Sequence, residues 1–253
     1  MNNHSEDLLL PGERVDDLQF CNLRIIQSPD SFRFGMDAVL LSDFARVRPG
    51  SKICDLGTGT GILPLLLYGR AQRLQCDAVE IQPDAAERAQ RSMVLNGLEE
   101  HIKVHCGDLR EIRALLPHAQ YDLVICNPPY TAESSALLSP NPSLSTARQE
   151  THCTLSDIAA AAAWLLRNHA RFSLMLPAAR LPEAFDTLRQ YRLEPKRLRV
   201  CRAQIAANRL AQCFHGAGTA AVSHFLQKPC AVGEDGWGCQ FLVFLTEAFH
   251  TLS

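Results

Sequence analysis

The sequence predicts an α/β protein, doubly wound around a mostly parallel sheet. Three observations carry that prediction. Strand-like apolar runs alternate with helical stretches from Ser51 to Tyr130. The first of those strands ends in a glycine-rich turn that opens a helix. Hydrophobic residues make up 47 % of the chain and charged residues 21 %, enough to fill a core on both sides of a sheet.

The elements follow in order. Lys52 to Leu56 reads as a strand, Ile62 to Arg70 as an apolar helix, and Leu74 to Ile81 as a second strand. Asp84 with Glu87 three residues on has the form of an N-cap, and Gly97 stops the helix it starts. His101 to Cys106 is a third strand, Arg110 to Leu116 a short helix, and Tyr121 to Cys126 a fourth strand. Beyond them lie a helix over Thr154 to Asn168, a strand over Arg171 to Leu176 and a helix over Ala179 to Gln190. Two regions break the alternation. Residues 131–150 carry prolines without periodicity, as a functional loop or an inert insertion does, and residues 203–240 place strands only loosely.

Composition excludes several classes. The 253 residues fit one large domain, or a catalytic domain with a modest appendage. A formal charge of −2 argues against a strongly cationic coat for nucleic acid, while leaving room for a local basic patch. One candidate is the run Arg189, Arg192, Lys196, Arg197, Arg199, Arg202 and Arg209, offset by Glu194, which reads equally as a solvated face or a phosphate-tracking surface. The longest apolar run, Ile158 to Leu166, is far short of the roughly 20 residues of a membrane span. The first seven residues show no export signal, so a cytoplasmic location is expected. The ten cysteines then read as free thiols, with Cys54, Cys76, Cys106 and Cys126 as small buried hydrophobes in strands. Cys201, Cys213, His215, His224, Cys230 and Cys239 lie at irregular spacings without a C-x-x-C pair, so no metal is expected.

Chemistry concentrates at the ends of four strands. Asp55-Leu56-Gly57-Thr58-Gly59-Thr60-Gly61 has G-x-G-x-G spacing rather than the G-x-G-x-x-G of a dinucleotide site. Its glycines let backbone N–H groups approach a ligand, and Asp55 would repel a pyrophosphate but suits a positive charge. Glu80, about twenty residues on, can accept from two ribose hydroxyls, and Asp108 from an adenine amino group. Together these strand ends describe a pocket for S-adenosyl-L-methionine.

Asn127-Pro128-Pro129-Tyr130 follows the fourth strand directly. A nitrogen conjugated to a ring or carbonyl is a poor nucleophile because its lone pair is delocalised. The Asn127 oxygen and the Pro128 carbonyl can accept its N–H groups and localise that pair toward a sulfonium methyl. Tyr130 offers a face on which a planar group stacks.

This combination resembles class I methyltransferases that act on planar nitrogen and carry an N/D-P-P-Y/F/W motif. Glu13 to Gln19, Ile26-Gln27 and Phe32 to Leu41 are similar to the entry segment of bacterial tRNA adenine N6-methyltransferases, which modify position 37 of a valine tRNA. The resemblance runs from Glu13 to about Leu176 and returns at Leu245 to Phe249, and Ala147 to Glu150 is similar to a family A-R-H-E stretch. It implies a seven-stranded Rossmann-like methyltransferase sheet over residues 49–253 and an entry segment over 1–48. It implies a tRNA substrate, and an entry segment that packs over the cofactor's methionine end and shapes the substrate mouth, with Asp37 and Phe34 as candidates there. On this reading Asn127, Pro128 and Tyr130 are catalytic. Asp55, Gly57, Gly59, Gly61, Glu80, Asp108, Asn127 and Asp37 bind the cofactor. Residues 203–240 depart from the family's usual closing strands. The nearest alternatives are N5-methylation of a release-factor glutamine and amino-methylation of ribosomal RNA or DNA. From other classes, a nicotinamide-dependent oxidoreductase is disfavoured by the turn's spacing, and a non-catalytic RNA-binding module by the complete cofactor set.

Overall fold

The structure is a computed structural model that describes residues 7–29, 35–128, 153–202 and 242–250. A small antiparallel hairpin, β1 (Arg14–Asp17) with β2 (Arg24–Gln27), precedes helix α1 (Met36–Phe44). Then come β3 (Lys52–Leu56), α2 (Ile62–Arg70), β4 (Gln75–Glu80), α3 (Pro83–Leu95), β5 (Ile102–Cys106), α4 (Ile112–Leu115) and β6 (Tyr121–Cys126). The described chain resumes with α5 (Leu155–Leu165), β7 (Leu166–Pro177), α6 (Leu181–Gln190) and β8 (Leu193–Arg202), and closes with β9 (Leu242–His250).

The main sheet has seven strands in the order β5-β4-β3-β6-β7-β9-β8. The first five pair in parallel, and β9 runs antiparallel between β7 and β8. The chain steps outward from β3 to β4 and β5, then crosses back to lay β6 on the other side of β3. Doubly wound sheets bind ligands at such a reversal, outside the carboxyl ends of the strands. The register Leu56↔Cys126 sets the exits of β3 and β6 side by side there.

Alternate strand residues feed two cores. Cys54, Leu56, Val124 and Cys126 pack with α4, α5 and α6, while Ile53, Leu123 and Ile125 pack with α1, α2 and α3. The residues before β3 share the second core through Leu23, Ile25, Leu41 and Phe44. Polar contacts fix its hairpin to α3. The buried N–H of Ile26 donates to Ser92 Oγ at 3.0 Å, and Asn96 exchanges hydrogen bonds with the Arg24 backbone. Glu13, with its side chain only 4 % exposed, accepts from Arg88 Nε at 2.8 Å and Arg91 Nη2 at 2.9 Å.

Several boundaries differ from expectation, each for a local reason. Helix α3 starts two residues before the position an Asp84 cap would give. Pro83 sits in its first turn, where its missing N–H costs nothing, and Gln82 is the N-cap. Helix α5 starts where predicted, with a capping box between Thr154 and Asp157, but stops at Leu165 because Leu166 already pairs with Tyr121 on β6. Cys54, Cys76 and Cys126 are buried, whereas Cys106 is exposed at the end of edge strand β5. The described cysteines are all free. No described helix is long and apolar enough to cross a membrane.

The basic run is the largest revision. Much of it forms β8, where a register shift between Pro195 and Arg197 resets the alternation. Arg197 then stacks 3.8 Å from the Phe44 ring centroid and donates to the Phe44 carbonyl at 2.8 Å. Arg199 pairs with Asp43 at 2.9 Å. These two cations hold the sheet to α1 rather than forming a solvated or phosphate-binding face, while Lys196 stays exposed. Arg209 and the cluster from Cys213 to Cys239 lie outside the described residues, as do 131–150 and the rest of 203–240.

Candidate active site

The glycine turn sits on the carboxyl end of β3 and is tied to β4. Gly57 and Thr58 both donate their N–H groups to the Val79 carbonyl, at 2.9 and 3.0 Å. Gly57 and Gly59 take φ of +75° and +57°, and a Cβ on either would project into open space, so both leave a bare backbone cradle. Gly61 differs. A Cβ there would lie 2.6 Å from Met93 Cε and 3.3 Å from the Ala89 Cβ, so this glycine lets α3 pack against the turn.

Glu80 is buried at the end of β4. One carboxylate oxygen accepts from the Gly59 N–H at 2.8 Å and the other from the Gln82 N–H at 2.9 Å. Asp55 is fully buried under the turn, and among the described residues neither of its oxygens has a hydrogen-bond partner. Burial, and secondarily the charge of Glu80, push its carboxyl up to about 7. An ionised carboxylate so placed calls for a cation, and a ligand carrying one fits the cradle above it.

A slot opens beside the turn, lined by Gly57, Val79, Ile81, Gly107, Asp108, Leu109, Arg110 and Cys153. Asp108 stands at its rim. Its Oδ1 caps the short turn that follows by accepting from the Arg110 N–H at 2.9 Å, and Oδ2 accepts from the Arg110 guanidinium. That ion pair holds its carboxyl below the usual range. The slot has apolar walls and a carboxylate edge, as a purine with an exocyclic amine requires.

Asn127 leaves β6 next to this cradle. Its side-chain amide donates from Nδ2 to Asp37 Oδ2 at 2.9 Å. Asp37 lies in the first turn of α1, and its Oδ1 accepts from the Ala38 N–H at 2.9 Å.

The methyltransferase small domain family matches residues 17–175, spanning the turn, Glu80, Asp108 and Asn127-Pro128. The chain belongs to that family. This methyltransferase is 30 % identical over 190 residues to a Porphyromonas gingivalis protein named tRNA1(Val) (adenine(37)-N6)-methyltransferase, covering 73 % of this chain and 74 % of the relative. A Tolumonas auensis protein of the same name is 36 % identical over 159 residues, covering 62 % of this chain and 65 % of the relative. Among solved structures, TrmN from Thermus thermophilus superposes with a TM-score of 0.52 at 17 % identity, over 84 % of this chain and 48 % of that one. Geranyl diphosphate C-methyltransferase from Streptomyces coelicolor gives 0.56 at 13 % identity, over 85 % and 77 %. Both likenesses establish the Rossmann-like methyltransferase fold.

The methyltransferase thus brings Asp55, Gly57, Gly59, Glu80 and Asp108 around one cradle. Asp37, expected among cofactor ligands, accepts a hydrogen bond from Asn127. Tyr130 and Phe34 lie outside the described residues. Sequence reasoning missed Ile81, Leu109 and Cys153. Ile81 and Leu109 each stand one residue past an acid already singled out, a signal available in principle. Cys153 gave none, because it reaches the slot only through the placement of α5.

Proposed function

We propose that this methyltransferase transfers the methyl group of S-adenosylmethionine to N6 of an adenine in tRNA, with position 37 of a valine tRNA as the favoured target. The observation that carries the reading is the register Leu56↔Cys126, which sets Asn127-Pro128 beside the cradle leaving β3. The names of the relatives supply the substrate.

The residues divide the work. Asp55 faces the cofactor's positive charge, and Gly57 and Gly59 give it backbone room. Each Glu80 oxygen already accepts one backbone N–H and has a second lone pair for a ribose hydroxyl. Asp108 accepts from the adenine amino group of the cofactor at the rim of the slot. Bound S-adenosylmethionine supplies an electrophilic methyl on a sulfonium. Asn127 and the Pro128 carbonyl accept the two N–H groups of the target amine and localise its lone pair for in-line attack. Tyr130 supplies the stacking face. Transfer would form the N–C bond as the C–S bond breaks, leaving a neutral thioether, and the surplus proton of the amine would pass to solvent. Residues 1–48 serve as the entry segment that brings Asp37 to the mouth, and residues 49–253 as the catalytic domain.

The test is incubation with labelled S-adenosylmethionine and separate pools of unmodified tRNA, ribosomal RNA and release factors, followed by mass spectrometry of the product. Label appearing as N6-methyladenosine at position 37 of valine tRNA is the expected result. Label on a release-factor glutamine or on ribosomal RNA alone would overturn it.

A further inference from the structure

We infer that Asp37 is a positioning residue that sets the polarity of the Asn127 amide and thereby selects an acceptor that offers N–H groups. The inference rests on the proposed nitrogen-methylation reading and deepens it. A side-chain amide has two ends of nearly equal shape and opposite polarity, and exchanging them turns a site for an amine into a site for a carbonyl. Something must decide which end faces the substrate. A carboxylate accepts and does not donate, so the 2.9 Å contact from Asn127 Nδ2 to Asp37 Oδ2 assigns the NH2 group to Asp37 and makes Oδ1 the end that accepts.

The Asp37 carboxylate is itself held in place. Its second oxygen accepts from the Ala38 N–H at 2.9 Å in the first turn of α1. Position 35 is glycine, and a Cβ there would come within 2.7 Å of that oxygen, so the bare backbone at Gly35 leaves the carboxylate its room. Helix α1 is anchored in turn by buried Leu41 and Phe44 and by the Arg197 and Arg199 contacts of β8. A rigid line therefore runs from the core to the amide. The chemistry it selects is a planar exocyclic amine such as N6 of adenine, and it disfavours a base presenting a carbonyl at that position, such as O6 of guanine.

The substitution Asp37→Asn separates this role from a structural one. It is isosteric and can still accept from the Ala38 N–H, but it then presents NH2 to Asn127. The Asn127 amide must turn its oxygen toward position 37 and its own NH2 toward the substrate amine. Single-turnover methyl transfer should fall by about 100-fold, the scale of one preorganised group in a transition state. Asp37→Ala leaves the amide without a fixed polarity and should cost about tenfold, so the isosteric variant is the worse of the two, whereas a packing role predicts the reverse. The double substitution Asp37→Asn with Asn127→Asp restores a donor facing an acceptor and should recover most of what Asp37→Asn loses. Cofactor affinity by calorimetry should fall far less than the transfer rate in all three. A larger loss in Asp37→Ala than in Asp37→Asn, absence of recovery in the double variant, or cofactor affinity falling in step with rate would each overturn the inference. Asn127→Ala keeps the two readings apart. If it transfers methyl at the full rate, the nitrogen-methylation reading itself fails. If it is impaired while the double variant does not recover, only the role of Asp37 fails.

Discussion

At the scale of single residues, the three glycines of one turn do two kinds of work, and one substitution repeated at two of them should separate the kinds. Gly59→Ala adds a Cβ where nothing else lies within 4 Å. It should weaken S-adenosylmethionine binding together with a modest backbone strain of about 1 kcal/mol from its positive φ. Gly61→Ala carries the same strain and also drives a Cβ into Met93 and Ala89. It should lose about 2–4 kcal/mol of stability through overpacking plus strain. Denaturant midpoints and calorimetric affinities of both variants check this. Equal losses of stability would remove the distinction. Asp55 yields a second prediction. Its folded-state value of about 7 lies above the ordinary 3.8, so the folded chain holds a proton there that the unfolded chain has released. Its contribution therefore lowers stability as pH rises from about 4 to about 7, and is level beyond. Cofactor affinity should move the other way, rising about tenfold between pH 6 and 8 as the carboxylate ionises to meet the positive ligand. Asp55→Asn should flatten both trends, and a pH-independent affinity in the unsubstituted protein would remove Asp55 from the site.

At the scale of elements, the Glu13 clamp decides whether the hairpin β1–β2 stays on α3. Hydrogen bonding to Arg91, assisted by the Leu10 backbone and Arg88, holds the Glu13 carboxyl down at about 2. A depressed carboxylate adds stability above its ordinary value of 4.5 and loses it as pH falls toward 2. Glu13→Gln should cost about 3 kcal/mol by leaving two guanidinium groups without their shared anion. Amide exchange should quicken first in residues 14–27; uniform quickening across the sheet would count against a local clamp. None of this was legible in the chain itself. Strand β3, helix α2 and strand β6 appear at the residues their apolar patterns predict, since local periodicity and a glycine turn determine them. Asp55, Glu80 and Asp108 were legible for the same reason, being strand ends in a known topology. Glu13 reaches Arg91 across 78 positions and Asp37 reaches Asn127 across 90, and no local pattern encodes a pairing of that span. Strand β8 was obscured differently. Its arginines read as a surface run because the irregularity near Pro195, which turns Arg197 and Arg199 toward α1, exists only in the assembled sheet.

At the scale of the whole molecule, the proposed tRNA substrate would have to be engaged by a chain of net charge −2 through local cations. The structure separates the cations that hold the fold from those open to solvent. Neutralising exposed Lys196 should leave stability unchanged and, if it meets a phosphate, lower the salt dependence of tRNA affinity by about one counterion. Arg197→Ala should instead lower the melting temperature, since it removes a ring stack and a hydrogen bond to the Phe44 carbonyl. Salt titrations of affinity beside thermal melts check both, and a stable Arg197→Ala protein with a flattened slope would return Arg197 to the RNA-facing surface.

The sheet order also bears on how the protein is made. Strand β9 is the last of the seven in the chain, yet it lies between β7 and β8. While a ribosome is still translating residues 203–241, β7 and β8 have both been synthesised and neither has its antiparallel neighbour. The nascent polypeptide therefore carries two open strand edges until residues 242–250 clear the exit tunnel, and open edges are templates for pairing with other chains. Completion of the sheet waits for residues 242–250.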